Sequence, residues 1–210
     1  MSSSHGTLVI ATRGIKARHR HLQRDILKLL PHGRLGAKMG AEDELKGILG
    51  LCEDAACENA LLLDARDPHR LYMWVAGCPD GPSAMFRVSN VHTVAELKLD
   101  SKRAAATRTL LVFDSGFEES AERRVMKALL TRTFATPCHG KPKTQPDVKH
   151  TLTFTWLDGR VWVRAYRITP HAIKPDAIDV MEIGPRMVLE PIRIIAAGFG
   201  GAILYSSDPR

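Results

Sequence analysis

The chain lacks the short signatures that mark most nucleotide-dependent and metal-dependent enzymes. It has no Gly-x-x-x-x-Gly-Lys-Ser/Thr run, so no phosphate-cradling P-loop is encoded. Gly198-Phe199-Gly200-Gly201 misses the GxGxxG spacing and no βαβ unit follows it, which argues against a dinucleotide site. Neither an HExxH helix nor a GxSxG elbow occurs. The four cysteines, Cys52, Cys57, Cys78 and Cys138, form no CxxC pair, and they read as reduced thiols of an intracellular protein rather than as zinc ligands or disulfides. His139 follows Cys138 without a second ligand pair at metal spacing. No apolar run approaches the roughly 18 residues that span a membrane, and the opening Met-Ser-Ser-Ser-His-Gly has no apolar signal-peptide core. These absences point away from catalysis, cofactors, metals and membranes, and toward a cytosolic or nuclear protein.

Acidic residues are also scarce in one stretch. Residues 7–38 hold Arg13, Lys16, Arg18, Arg20, Arg24, Lys28, Arg34 and Lys38 against Asp25 alone. That short segment accounts for the whole chain's net charge of +7, and the remainder is close to neutral. Charge concentrated in this way favours a surface for a polyanion over diffuse solubilising charge. The hydrophobic content of 44% and charged content of 25% are globular values, sufficient for a core without staples.

A segment-level duplication organises the chain. Thr7-Leu8-Val9-Ile10-Ala11 leads into a helical pattern over Ala17–Leu30, and Thr109-Leu110-Leu111-Val112-Phe113 leads into another over Glu119–Leu130. A single repeat about a hundred residues long predicts two α/β half-units packed as one pseudo-symmetric body, not a solenoid. Residues 1–6 read as a disordered tail and 7–205 as one domain, with half-units at about 7–100 and 109–205. Gly81-Pro82-Ser83 and Gly184-Pro185-Arg186 read as matching turns that end strands, with Arg186 as a contact residue where the first half has Ser83.

In the first helix Leu22, Ile26, Leu29 and Leu30 form one apolar face. Arg20, Arg24 and Lys28 form a stripe on another, with no interleaved Glu, which suits phosphate contact. Pro31 and Gly33 stop the helix. Glu42–Leu51 reads as a second helix, Ala60–Ala65, Arg70–Ala76 and Ala84–Val88 as strands, and Lys102–Thr107 as a bridge between halves. In the second half Val125, Met126, Leu129 and Leu130 point inward. The loop Thr136–Lys149 carries Pro137, Pro142 and Pro146 with Lys141 and Lys143. It reads either as a segment that orders only against a polyanionic partner, or as a plain connector. His150–Leu157 and Arg160–Arg167 flank Asp158-Gly159, a hairpin signal. Val161, Val163 and Ala165 alternate with Arg160, Trp162, Arg164 and Tyr166. That second set suits stacking on bases, but cover by a helix is the favoured expectation. Met187–Ala197 fits helix or strand, with Pro191 against an uninterrupted helix.

Four stretches together resemble the Brix-domain family of ribosome assembly factors. They are Arg13-Gly14-Ile15-Lys16 with Arg18–Leu22 and Leu29–His32; Leu71–Trp74 with Pro79–Ala84; Asn90–Lys98; and Glu182–Arg186 with Gly198–Gly201. The resemblance implies two similar α/β halves akin to anticodon-binding domains, and a non-catalytic role in large-subunit biogenesis in the nucleus and nucleolus. It also implies binding to precursor ribosomal RNA, contact with ribosomal proteins, and a helical assembly-factor partner resembling the Epstein–Barr-nuclear-antigen-binding-protein homologue. Arg13, Lys16, Arg18, Arg20, Arg24, Lys28, Arg34, Lys38, Lys141, Lys143 and Arg186 are the expected RNA contacts. Met39–Asn59 departs from the family pattern, being acidic and rich in Ala and Gly where Lys is usual.

Overall fold

The computed structural model describes residues 6–40, 42–97, 108–137, 148–170 and 177–207. Each half begins with a buried apolar strand and a helix. The first contributes β1 (Gly6–Ala11), α1 (Ala17–Leu29), the short edge strand β2 (Gly33–Leu35), α2 (Gly47–Asp54), β3 (Cys57–Asp64), β4 (Leu71–Gly77), β5 (Ser83–His92) and the single turn α3 (Val94–Leu97). The second contributes β6 (Arg108–Phe113), a 3-10 turn at Ser115–Glu118, α4 (Ala121–Phe134), β7 (Val148–Leu157), β8 (Arg160–Pro170), β9 (Ile178–Ala197) and β10 (Gly200–Ser206).

One sheet runs β2-β1-β3-β4-β5-β9-β8-β7-β6, with β10 added to β9. β1 pairs parallel with β3, and β6 pairs parallel with β7; the next two strands of each half follow antiparallel. The halves therefore have the same strand order and meet where β5 and β9 pair antiparallel. This is the pseudo-symmetric α/β body that the duplication predicts.

Local chemistry accounts for the elements. Leu22, Ile26 and Leu29 bury the apolar face of α1, and Leu30, which precedes Pro31, leaves helical geometry because proline disfavours it in the preceding residue. Ser120 caps α4 by accepting from the Arg123 backbone N–H at 3.3 Å. Asp158 and Gly159 both take positive φ, the geometry of a type I′ hairpin turn. α1 and α4 pack on one face of the sheet over a shared core that includes Phe86, Phe117, Phe134, Phe154, Leu61 and Met73. α2 covers the other face of the first half, where Ile48 and Cys52 meet Leu8, Ile10, Leu62 and Trp74.

The helices are exchanged between halves. Thr7 Oγ1, on β1, donates to the carbonyl of Thr133 near the end of α4 at 3.0 Å. Thr109 Oγ1, at the matching place on β6, donates to the carbonyl of Leu29 at the end of α1 at 3.2 Å. Each hydroxyl satisfies a carbonyl that the helix end leaves without an intrahelical partner.

Three expectations are corrected. The second helix begins at Gly47, not Glu42, because the Gly40 N–H donates to Asp43 Oδ2 and holds a turn there; the helix then continues to Asp54. Gly184-Pro185-Arg186 is no strand-ending turn. It lies inside the long strand β9, at a point where the pairings to both β5 and β8 shift register. Such an irregularity tolerates a proline without an N–H and Gly184 at φ +66°. Register also places Arg186 opposite Arg164, as Met85 stands opposite Trp74, so its counterpart in the first half is Met85 and not Ser83. The stretch left open between helix and strand, Met187–Ala197, is strand.

Candidate nucleic-acid interface

α1 presents the charge that the sequence concentrates. Arg20, Arg24 and Lys28 are all exposed along it, with His21 beside them. Arg13 and Lys16 precede the helix, and Arg34 and Lys38 follow it, all exposed. Arg20 Nη1 donates to the Ile15 carbonyl at 3.0 Å, Lys16 Nζ to the Pro68 carbonyl at 2.8 Å, and Arg34 Nη1 to the Ala55 carbonyl. These acceptors are neutral, so they orient the side chains without cancelling their charge. Arg18 is the exception, since its Nε meets Glu96 Oε1 at 2.7 Å.

Asp25, the acid of this segment, offsets Lys28 of the row and neither Arg20 nor Arg24. It is 6% exposed, and its Oδ2 accepts from the Val94 backbone N–H at the start of α3 at 2.9 Å. Its Oδ1 lies 3.5 Å from Lys28 Nζ. An exposed face of this kind offers point charges to phosphates spaced along a strand.

Arg186 does not join this group. Its neighbour Met187 is buried in the core beneath α1 and α4, so Arg186 projects from the other face of the sheet. There it pairs with Glu182 at 3.3 Å. Lys141 and Lys143 lie outside the described residues.

The face around Arg186 is the feature that the sequence reading misjudged. Trp162, Arg164 and Tyr166 project from it, all half-buried, and among the described residues no helix packs over them. Trp162 Nε1 and Thr151 Oγ1 are buried there without a hydrogen-bond partner. The duplication gave no sign of it: Leu110 and Val112 repeat the buried Leu8 and Ile10, yet they are 47% and 44% exposed. Cys52, Cys57 and Cys78 are free thiols, with Cys52 and Cys78 in contact at 3.2 Å. Among the described residues no group of three or more His, Cys, Asp or Glu side chains could hold a metal ion.

A two-lobed α/β fold with one cationic helix face and, among the described residues, one sheet face without a covering helix is thus the class of protein that the structure defines. The Brix domain family model matches residues 12–193, and the chain belongs to that family. It is 42% identical over 200 residues to the human "Ribosome biogenesis protein BRX1 homolog", covering 95% of this chain and 55% of the relative. It is 39% identical over 202 residues to the Drosophila melanogaster protein of the same description, again covering 95% of this chain and 55% of the relative. The chain therefore spans about half the length of these curated relatives. A solved structure described as a probable ribosomal biogenesis protein from Aeropyrum pernix K1 superposes with a TM-score of 0.57 at 15% identity, covering 88% of this chain and 95% of that one; it shares the fold.

Proposed function

We propose that this domain is a non-catalytic scaffold that binds precursor ribosomal RNA during assembly of the large ribosomal subunit, in the nucleus and nucleolus. The observation that carries the reading is the exposed row Arg20, Arg24 and Lys28 on a helix whose acid, Asp25, is buried, accepts from the Val94 N–H and pairs only with Lys28 of the row. The relatives' description as ribosome biogenesis proteins supports the setting. The open face of the second half supports a protein partner as well. Its exposed Leu110 and Val112, with Trp162 and Tyr166, suit the helical assembly factor that the family resemblance implies, while ribosomal proteins are further neighbours.

The rival reading is an adaptor whose basic surface meets acidic proteins. Salt dependence separates the two. RNA binding through several phosphates gives a steep linear fall of log affinity with log salt, about 0.9 or 0.7 per phosphate for double or single strands. Charge reversal of Arg20, Arg24 and Lys28 to Glu is expected to abolish binding to ribosomal RNA fragments, measured by fluorescence anisotropy, with the melting temperature retained. Unaltered RNA affinity in the folded variant would reject the scaffold reading at this face.

A further inference from the structure

A second cationic feature lies beside the helix face. A cavity of about 430 Å³ opens between the residues that begin α1, the β3–β4 turn and the end of β5. Lys16, Arg18, His19, His69, Arg70 and Arg87 line it, and no acidic residue does. Carboxylates are near, but each is tied to one of these cations: Glu96 to Arg18, Asp67 to Arg70 and Glu190 to Arg87. They hold long side chains in place around the opening. Lys16 is held by the neutral Pro68 carbonyl instead, so its charge stays uncancelled.

The local field is positive. The pKa of the His19 imidazole is lowered, first by burial and then by the charges of Lys16 and Arg18. His19 Nδ1 is buried with no hydrogen-bond partner, a polar atom that a native structure rarely leaves unused. Leu71 and Val88, both buried, add an apolar part to the lining.

We propose that this cavity binds a phosphorylated nucleoside. The phosphate meets Lys16, His19 and Arg70, and the base lies against the apolar part of the wall and the flat imidazole and guanidinium groups. The volume suits one such unit, since small-ligand sites run from roughly 300 to 1,000 Å³. The unit is either an unpaired nucleotide of an RNA strand that crosses α1 or a free nucleotide. The proposal rests on the RNA-binding reading only for the first of these sources.

The test uses His69→Ala/Arg70→Ala. Both residues are exposed in the β3–β4 turn and neither belongs to the basic segment read from the sequence. Binding of single-stranded RNA across a salt series and binding of AMP by isothermal titration are measured for the parent and the variant. If the strand supplies the nucleotide, the variant loses roughly tenfold in RNA affinity and its salt slope falls by about one. If the ligand is free, the parent binds AMP saturably and the variant does not. Either result supports the cavity. Unchanged RNA affinity and slope, together with no AMP binding to the parent, would overturn it. The RNA-binding reading is judged separately: it fails when the parent binds no RNA, and it stands when charge reversal on α1 abolishes binding that the cavity variant retains.

Discussion

Leu8 and Leu110 occupy the same place in two copies of one strand, yet the first is 2% exposed and the second 47%. The rung Leu8-Ala60-Ala76 in the first half corresponds to Leu110-Thr151-Tyr166 in the second, and Ile10-Leu62-Trp74 to Val112-Thr153-Arg164. Where α2 covers the sheet, the rungs are apolar and buried. Where no described element covers it, threonine, tyrosine and arginine have entered the same positions. The two long helices diverge in a parallel way. No side chain caps α1 at Lys16, and its first turn holds no acid. α4 is capped by Ser120 and carries Glu122 in its first turn, and Glu119 and Glu118 neutralise Arg123 and Lys127. An uncapped, acid-free helix start attracts anions, whereas a capped and acidic one does not. One scaffold used twice has thus kept its shared core and divided its surfaces, a cationic one on the first half and a partly apolar one on the second.

The largest effect that would break this comparison is on stability. Ile10→Ala removes a fully buried side chain from beneath α2 and is expected to cost about 2–5 kcal/mol in urea unfolding. Val112→Ala, at the matching place on the open face, should cost about 0.5 kcal/mol or less. Equal losses would mean that both faces are covered in solution.

The exchanged threonines give a smaller and symmetric effect. Thr7→Val and Thr109→Val each remove the hydroxyl that serves the other half's helix end, and each should cost about 1 kcal/mol. A loss confined to one of them would show that the two junctions are not equivalent.

The smallest effect is one of pH. Burial lowers the pKa of His32 and of His150, with the charges of Arg167 and Lys149 adding to the effect at His150. The folded state therefore favours both neutral. Their contribution is fully present above the ordinary histidine value of 6.5, and it is lost as the pH falls from there toward the lowered folded values. His150→Gln should flatten part of this loss in denaturation curves taken across that range. His32, whose Nε2 sits 3.1 Å from the Thr133 carbonyl, reports on the junction between halves, whereas His150 lies within the second.

Much of this was legible in the chain. The 3.6-residue spacing of Leu22, Ile26 and Leu29, the Asp158-Gly159 hairpin and the repeated strand openings are local patterns, and local patterns survive folding. The row Arg20-Arg24-Lys28 was legible for the same reason. Gly184-Pro185 misled because its turn chemistry is local while the ladders that carry β9 past it come from β5 and β8. The α1 cavity was invisible for a related reason: residues 16–19, 69–70 and 87 meet only in space, and the stretch Arg66–His69 reads on its own merely as a turn. The open face was half legible. Alternation separated Val161, Val163 and Ala165 from Trp162, Arg164 and Tyr166, but nothing local tells whether a helix will arrive to cover the second set.

The position of β9 between the halves also fixes the order in which the molecule can be finished. β5 is complete at His92, yet the strand that pairs with it begins its ladder only at Arg186. Until β9 has been synthesised, the edges of β5 and β8 stand open, and the strand that joins the two halves is missing. Pairings this distant in sequence close slowly, because the entropy of a long loop must be overcome before any contact rewards it. The newborn chain therefore passes through an interval with an unprotected strand edge, the kind of surface on which other chains stick, and the domain becomes safe from its own neighbours only when nearly all of it has been made.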